Sequence, residues 1–97
     1  MLNSRQRAYL RALANNLEDV FQIGKSGITS AMEKEIDACL ESRELIKIKI
    51  LDNCPLKVRE AADALASAIG AEVVQVIGNK FILYRESREK PQIQLPR

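Results

Sequence analysis

From Leu45 to Leu51 the chain alternates without a break, with Ile46, Ile48 and Ile50 separated by Lys47 and Lys49. Successive side chains of an extended strand point to opposite faces, so this segment predicts a strand with one buried face and one half-exposed face. A helix would scatter the same residues around its circumference. Whatever else the chain builds must cover the isoleucine face and tolerate two lysines on the other.

The flanking sequence supplies helices. Ser4 is placed to cap a first helix running to about Asn15, with Tyr9, Leu10, Leu13 and Leu17 on one side and Arg7 and Arg11 pointing the opposite way. Val20-Phe21-Gln22-Ile23 reads as a short strand ended by Gly24-Lys25-Ser26-Gly27. Ser30 with Glu33 three residues on has the spacing of a capping box for a second helix, with Met32, Ile36, Cys39 and Leu40 inward and Glu33, Asp37 and Glu41 outward. Pro55 suits the first turn of a third helix, Val58, Ala62, Leu65 and Ile69 its core stripe, and Gly70 its C-terminal stop. Strands over 72–77 and 80–85 then meet at Gly78-Asn79, a dipeptide that tolerates the positive φ of a tight hairpin turn.

The order is thus α-β-α-β-α-β-β. Two crossover helices are expected to make parallel strand pairs, and the final hairpin an antiparallel one, giving an α/β fold with a four-stranded mixed sheet. With 97 residues, no repeat and no low-complexity stretch, a single domain over 1–97 is expected, in which 87–97 forms either a tail or a short added edge strand. Only four residues are aromatic while 46% are apolar, so the core must be aliphatic, as suits helices on a sheet.

Composition also narrows chemistry. The chain has no histidine, and Cys39 and Cys54 alone cannot hold zinc; both read as ordinary thiols. No serine or cysteine stands in an evident base-assisted constellation, and no carboxylate cluster has metal-site spacing, so neither an enzyme nor a cofactor is expected. The N-terminus lacks the apolar run of a signal peptide, and no stretch approaches the roughly 18 uncharged residues of a membrane span. A cytoplasmic monomer, with no membrane partner and no small-molecule substrate, is the expectation.

Gly24-Lys25-Ser26 has the ending of a phosphate-binding P-loop, but the first glycine of that motif would fall at Asp19, which rules out nucleotide hydrolysis of that kind. What remains is G-x-x-G between a strand and a helix N-terminus. Glycines there let backbone approach a ligand, and amides with the helix dipole favour an anion beside Lys25. Glycines in a strand-to-helix turn also serve backbone needs alone.

The net charge of +2 is uninformative; its distribution is not. Arg5, Arg7 and Arg11 precede the first acidic residue, Glu18, and together with Lys47 and Lys49 could extend a basic surface from the loop. Lysines on a strand equally keep an edge soluble. The acidic Glu33, Asp37 and Glu41 would repel phosphates, leaving only the N-terminal end of the second helix for a phosphate-bearing ligand. Phe81 and Tyr84 face opposite ways and both suit the core, although one could stack on a base.

Several landmarks in this order resemble a known family. They are Arg5-Gln6-Arg7 through Ala14, the loop Ile23-Gly24-Lys25-Ser26-Gly27, the strand Glu44-Leu45-Ile46-Lys47-Ile48, Gln75-Val76-Ile77-Gly78 and Leu83-Tyr84-Arg85. The family is the CRM domain (chloroplast RNA splicing and ribosome maturation), in its stand-alone bacterial YhbY form. The resemblance implies an α/β fold similar to the C-terminal domain of translation initiation factor three, and RNA bound through the G-x-x-G loop and an adjoining basic face. It also implies association with precursors of the large ribosomal subunit.

The candidate site residues are therefore Gly24, Lys25, Ser26 and Gly27, extended by Arg5, Arg7, Arg11, Lys47, Lys49 and Arg85. KH domains also use a G-x-x-G loop, but between two helices, so the likeness there covers loop chemistry and not topology. The competing expectation is a protein-interaction module that docks on a ribosomal protein or assembly factor through its sheet edge or C-terminal tail.

Overall fold

The computed structural model describes residues 2–97, so Met1, the first residue of the expected domain, lies outside it. The elements run α1 (Ser4–Ala14), β1 (Asp19–Ile23), α2 (Ser30–Arg43), β2 (Leu45–Ile50), α3 (Val58–Ile69), β3 (Glu72–Ile77) and β4 (Lys80–Tyr84), the order the sequence predicts.

The helix starts differ from expectation by a residue or more. Asn3, not Ser4, caps α1: its Oδ1 accepts from the Gln6 amide at 2.8 Å while Gln6 Oε1 accepts from the Asn3 amide at 3.1 Å. Thr29, not Ser30, caps α2 by accepting from the Met32 amide at 3.1 Å, so the expected Ser30–Glu33 box does not form. Pro55 lies in the turn before α3, which begins at Val58 with the Lys57 amide donating to Glu60 Oε1 at 3.0 Å. Gly70 ends α3 at φ 68°, as expected of a left-handed stop.

The strand order is β1-β2-β4-β3. β1 and β2 are parallel neighbours joined through α2, whereas β2 pairs antiparallel with β4, and β4 with β3. The second parallel pair expected from the crossover helix α3 is therefore not formed by neighbours. β3 runs parallel to β2, but the hairpin folds β4 into the gap between them.

One sheet face carries α2 and α3. Ile46, Ile48 and Ile50 pack there with Ile23, Phe81 and Leu83 against Ile36 and Leu40 of α2 and Ala61, Ala62 and Leu65 of α3. The opposite face holds a smaller cluster of Leu10, Ala14, Leu45, Val74, Ile82 and Tyr84, closed by Leu17 and by Ile93 and Leu95 of the chain's end. Phe81 and Tyr84 are both core, on opposite faces. Of the residues expected on the inner stripe of α1, Leu10 is fully buried and packs with Ala14, whereas Tyr9 and Leu13 are each 40% exposed.

Residues 87–97 add no strand to the sheet. They are held by Glu44, which ends α2 in the left-handed conformation (φ 67°) and is 1% exposed. Its carboxylate accepts from the amides of Ser87 at 2.7 Å, Gln92 at 2.7 Å and Ile93 at 2.8 Å.

Candidate nucleic-acid interface

α1 and the C-terminal segment cover only one end of their sheet face, above Leu45, Val74 and Tyr84. Toward the other end the register decides which side chains are left. Lys47 pairs with Asp19 on β1 and Ile82 on β4, and Lys49 with Gln22 and Lys80. Paired residues share a face, so Lys47, Lys49 and Lys80 emerge together. Lys80 Nζ reaches diagonally over β2 to Asp19 Oδ1 at 3.1 Å, and this contact holds the Asp19 carboxyl below its ordinary value. Lys80 is not among the residues expected from the sequence. Its signal becomes readable only once β4 is known to lie beside β2, which puts it opposite Lys49.

The G-x-x-G loop sits at the same end of the sheet. The Gly27 amide donates to Gly24 O at 2.9 Å, closing a four-residue turn with Lys25 and Ser26 exposed at its tip. Gly27 has φ 65°, where a side chain would be strained, and a Cβ on Gly24 would come within 3.3 Å of both Asn53 Oδ1 and Leu51 Cδ1. Both glycines thus have structural reasons, which do not compete with a ligand role for the tip. Backbone bonds from Leu51 N to Ile23 O (2.9 Å) and from Ile50 N to Asn79 O (2.7 Å) tie the ends of β1 and β2 to the β3–β4 turn. Loop, lysines and hairpin turn form one edge of the molecule.

The expected arginines divide. Arg7 donates to Val73 O, and at 3.5 Å to Val74 O, at the irregularity in β3, so its guanidinium anchors α1 to the sheet. Arg11, one helical turn on, is half-buried on the same flank of α1. Arg5 lies at the other extremity, where its Nη1 meets Arg97 O at 3.4 Å.

Arg85 does not join the basic face. It is 8% exposed, with Nε 3.1 Å from Asp37 Oδ1, Nη1 3.2 Å from Glu41 Oε1 and Nη2 donating to Asp37 O at 2.9 Å. This also corrects the expected acidic outer face of α2. Asp37 and Glu41 are consumed internally, Glu41 accepting as well from the Arg88 amide at 3.0 Å and the Ser87 hydroxyl at 2.7 Å. Those two contacts lead in lowering the Glu41 pKa from 4.5 to about 2. At Glu44, burial pushes the carboxyl up, but the amides of Ser87, Ile93 and Gln92 outweigh it and the net shift is downward.

Among the described residues, no group of three or more His, Cys, Asp or Glu is placed to hold a metal ion, and no helix is long and apolar enough to cross a membrane.

Three helices on a four-stranded mixed sheet, with a glycine-bounded lysine turn leaving its parallel edge strand, define a small α/β class with lysines gathered at one edge. Residues 2–85 match the model of the CRS1 / YhbY (CRM) domain, and the chain belongs to that family. It is 44% identical over 96 residues to a Bacillus subtilis protein named as a probable RNA-binding protein, YqeI, with 99% of this chain and 100% of that one covered. It is 35% identical to a Haemophilus influenzae RNA-binding protein, covering 99% and 96% of the two chains. A Staphylococcus aureus protein solved in solution and put forward as an RNA binder matches with a TM-score of 0.81 and 49% identity, covering 99% of this chain and 100% of that one. None of these relatives is named as an enzyme.

Proposed function

We propose that this chain binds RNA, and specifically precursor RNA of the large ribosomal subunit during assembly in the cytoplasm, acting as a monomer. The register carries this reading: Lys47, Lys49 and Lys80 emerge together on the uncovered end of the sheet, beside the turn that presents Lys25. Family membership and the names of the relatives support the ligand class. Backbone at the Gly24–Gly27 turn approaches phosphates, the lysines with Arg11 neutralise neighbouring ones, and shape rather than base order sets most of the selectivity. Arg5 lies at the far margin of this surface, while Arg7 and Arg85 support it from within the fold.

The test is binding to large-subunit ribosomal RNA fragments at several salt concentrations, with the wild type beside Lys25→Glu, which keeps both glycines. If about four phosphates are neutralised, log K falls with log salt at a slope near −3, roughly −0.7 per contact for single strands. Weaker binding with a shallower slope in Lys25→Glu is expected. Unchanged binding would remove the loop from the interface and favour docking on a protein instead.

A further inference from the structure

The basic end of the sheet contains a small depression lined by Lys47, Ile77, Lys80 and Ile82, with a volume of about 120 Å³. Its floor is Ile82, which is 2% exposed; its rim is Ile77, 52% exposed at the end of β3. The register places Ile77 opposite Lys80 and Lys47 opposite Ile82, so all four project from the same sheet face. Lysine stems are aliphatic, so the walls are apolar, while the Lys80 ammonium lies beside the depression in its 3.1 Å ion pair with Asp19.

Such a slot is poorly matched to an ion, which would meet hydrocarbon on entry. It is too small to enclose a whole nucleotide. A flat heterocycle fits: its faces can lie on Ile77, Ile82 and the lysine stems while the attached backbone phosphates remain outside, beside Lys47, Lys80 and the neighbouring Lys49. Aromatic side chains usually provide base platforms in single-strand binders, but those of this sheet are engaged elsewhere. Phe81 and Tyr84 are buried, and Phe21 packs against the core beneath α2 and α3. An aliphatic platform is the apolar surface that the basic face has to offer.

We propose that the Ile77–Ile82 slot receives one unpaired nucleobase of the bound RNA. The inference rests on the RNA-binding reading above. It adds a contact to a base where that reading invokes phosphates alone, and it predicts a preference for single-stranded over fully paired RNA.

The probe is a short single-stranded RNA oligonucleotide compared with versions in which individual bases are removed while the sugar–phosphate chain is kept. Wild-type protein is expected to lose about fivefold in affinity when the seated base is missing, the low end for stacking because the platform is aliphatic. Ile77→Ser should bind the intact oligonucleotide about fivefold more weakly and no longer distinguish it from the abasic form, with its salt slope unchanged. Ile77→Phe, which restores an apolar face at the rim, should recover the distinction. Salt-sensitive binding that ignores both base removal and Ile77→Ser would overturn the slot and leave the phosphate-based reading standing. Absence of binding to any of these RNAs, with the protein folded, would overturn both.

Discussion

The amide of Ser87 lies 2.7 Å from a carboxylate oxygen of Glu44, a residue 43 positions earlier that is itself almost wholly buried. The same carboxylate collects the amides of Gln92 and Ile93. A buried charge with no cation on it among the described residues is tolerable because three backbone donors replace its water. The stop of α2, the start of β2 and the path of the last eleven residues are therefore fixed at one side chain.

Glu44→Gln should lower unfolding stability by about 2 kcal/mol, since charge-assisted bonds become neutral and one oxygen becomes a donor facing amides. Glu44→Gly supplies a residue suited to φ 67° yet should also be destabilised, because the carboxylate is lost. Urea denaturation of both variants checks this; a more stable Glu44→Gly would mean that the carboxylate contributes little.

Acid should loosen the C-terminal segment before it unfolds the core. Glu41 has a folded-state pKa of about 2 against an ordinary 4.5, and Glu44 is shifted the same way. The unfolded chain thus binds more protons than the folded one in this range. The stabilisation is complete above about pH 4.5 and drains away as pH falls toward 2. Amide exchange at 87–93 followed between about pH 6 and about pH 2.5 should show protection falling across that window. In Glu41→Gln the change should be smaller, and curves identical to wild type would contradict the assignment.

Lysine and arginine substitutions should separate cleanly. Lys47→Ala, Lys49→Ala and Lys80→Ala are each expected to weaken RNA binding and to make the salt slope shallower by about 0.7, with melting temperature nearly unchanged in the first two and slightly lowered in Lys80→Ala, which also loses the ion pair to Asp19. Arg85→Ala should do the opposite, leaving Glu41 without its cation and Asp37 with only the exposed Arg88 at 3.9 Å, and destabilising the fold by about 3 kcal/mol while the salt slope holds. Paired titrations and thermal melts decide it. A reduced slope in Arg85→Ala would place that side chain on the RNA after all.

Gly27→Ala forces a side chain into φ 65° and is expected to cost about 1 kcal/mol, whereas Lys25→Glu at the exposed tip should cost almost nothing. Equal stability losses in the two variants, measured by denaturation, would mean that the turn is not as the structure has it.

Much of the fold is legible in the sequence because its signals are local. Ile46, Ile48 and Ile50 announce the central buried face, and Gly70 and Gly78 stand where the backbone turns left-handed. The caps are harder, since Asn3 and Ser4, like Thr29 and Ser30, are adjacent residues with equal capping chemistry, and only the helix axis chooses between them. The position of β4 between β2 and β3 is a long-range fact without a local mark. Lys80 and Arg85 bear its consequences. The first gains a place on the basic face, and the second loses one, through partners dozens of residues away.

The last strand in sequence stands in the interior of the sheet, and among the described residues β3 has no neighbour except β4. A nascent chain that has emerged only to Ile77 carries three helices and three strands but leaves β2 with a bare edge and β3 with nothing to pair with. Closure waits for residues 80–84, so the domain is expected to fold in one late step once β4 has emerged, not progressively from α1 onward.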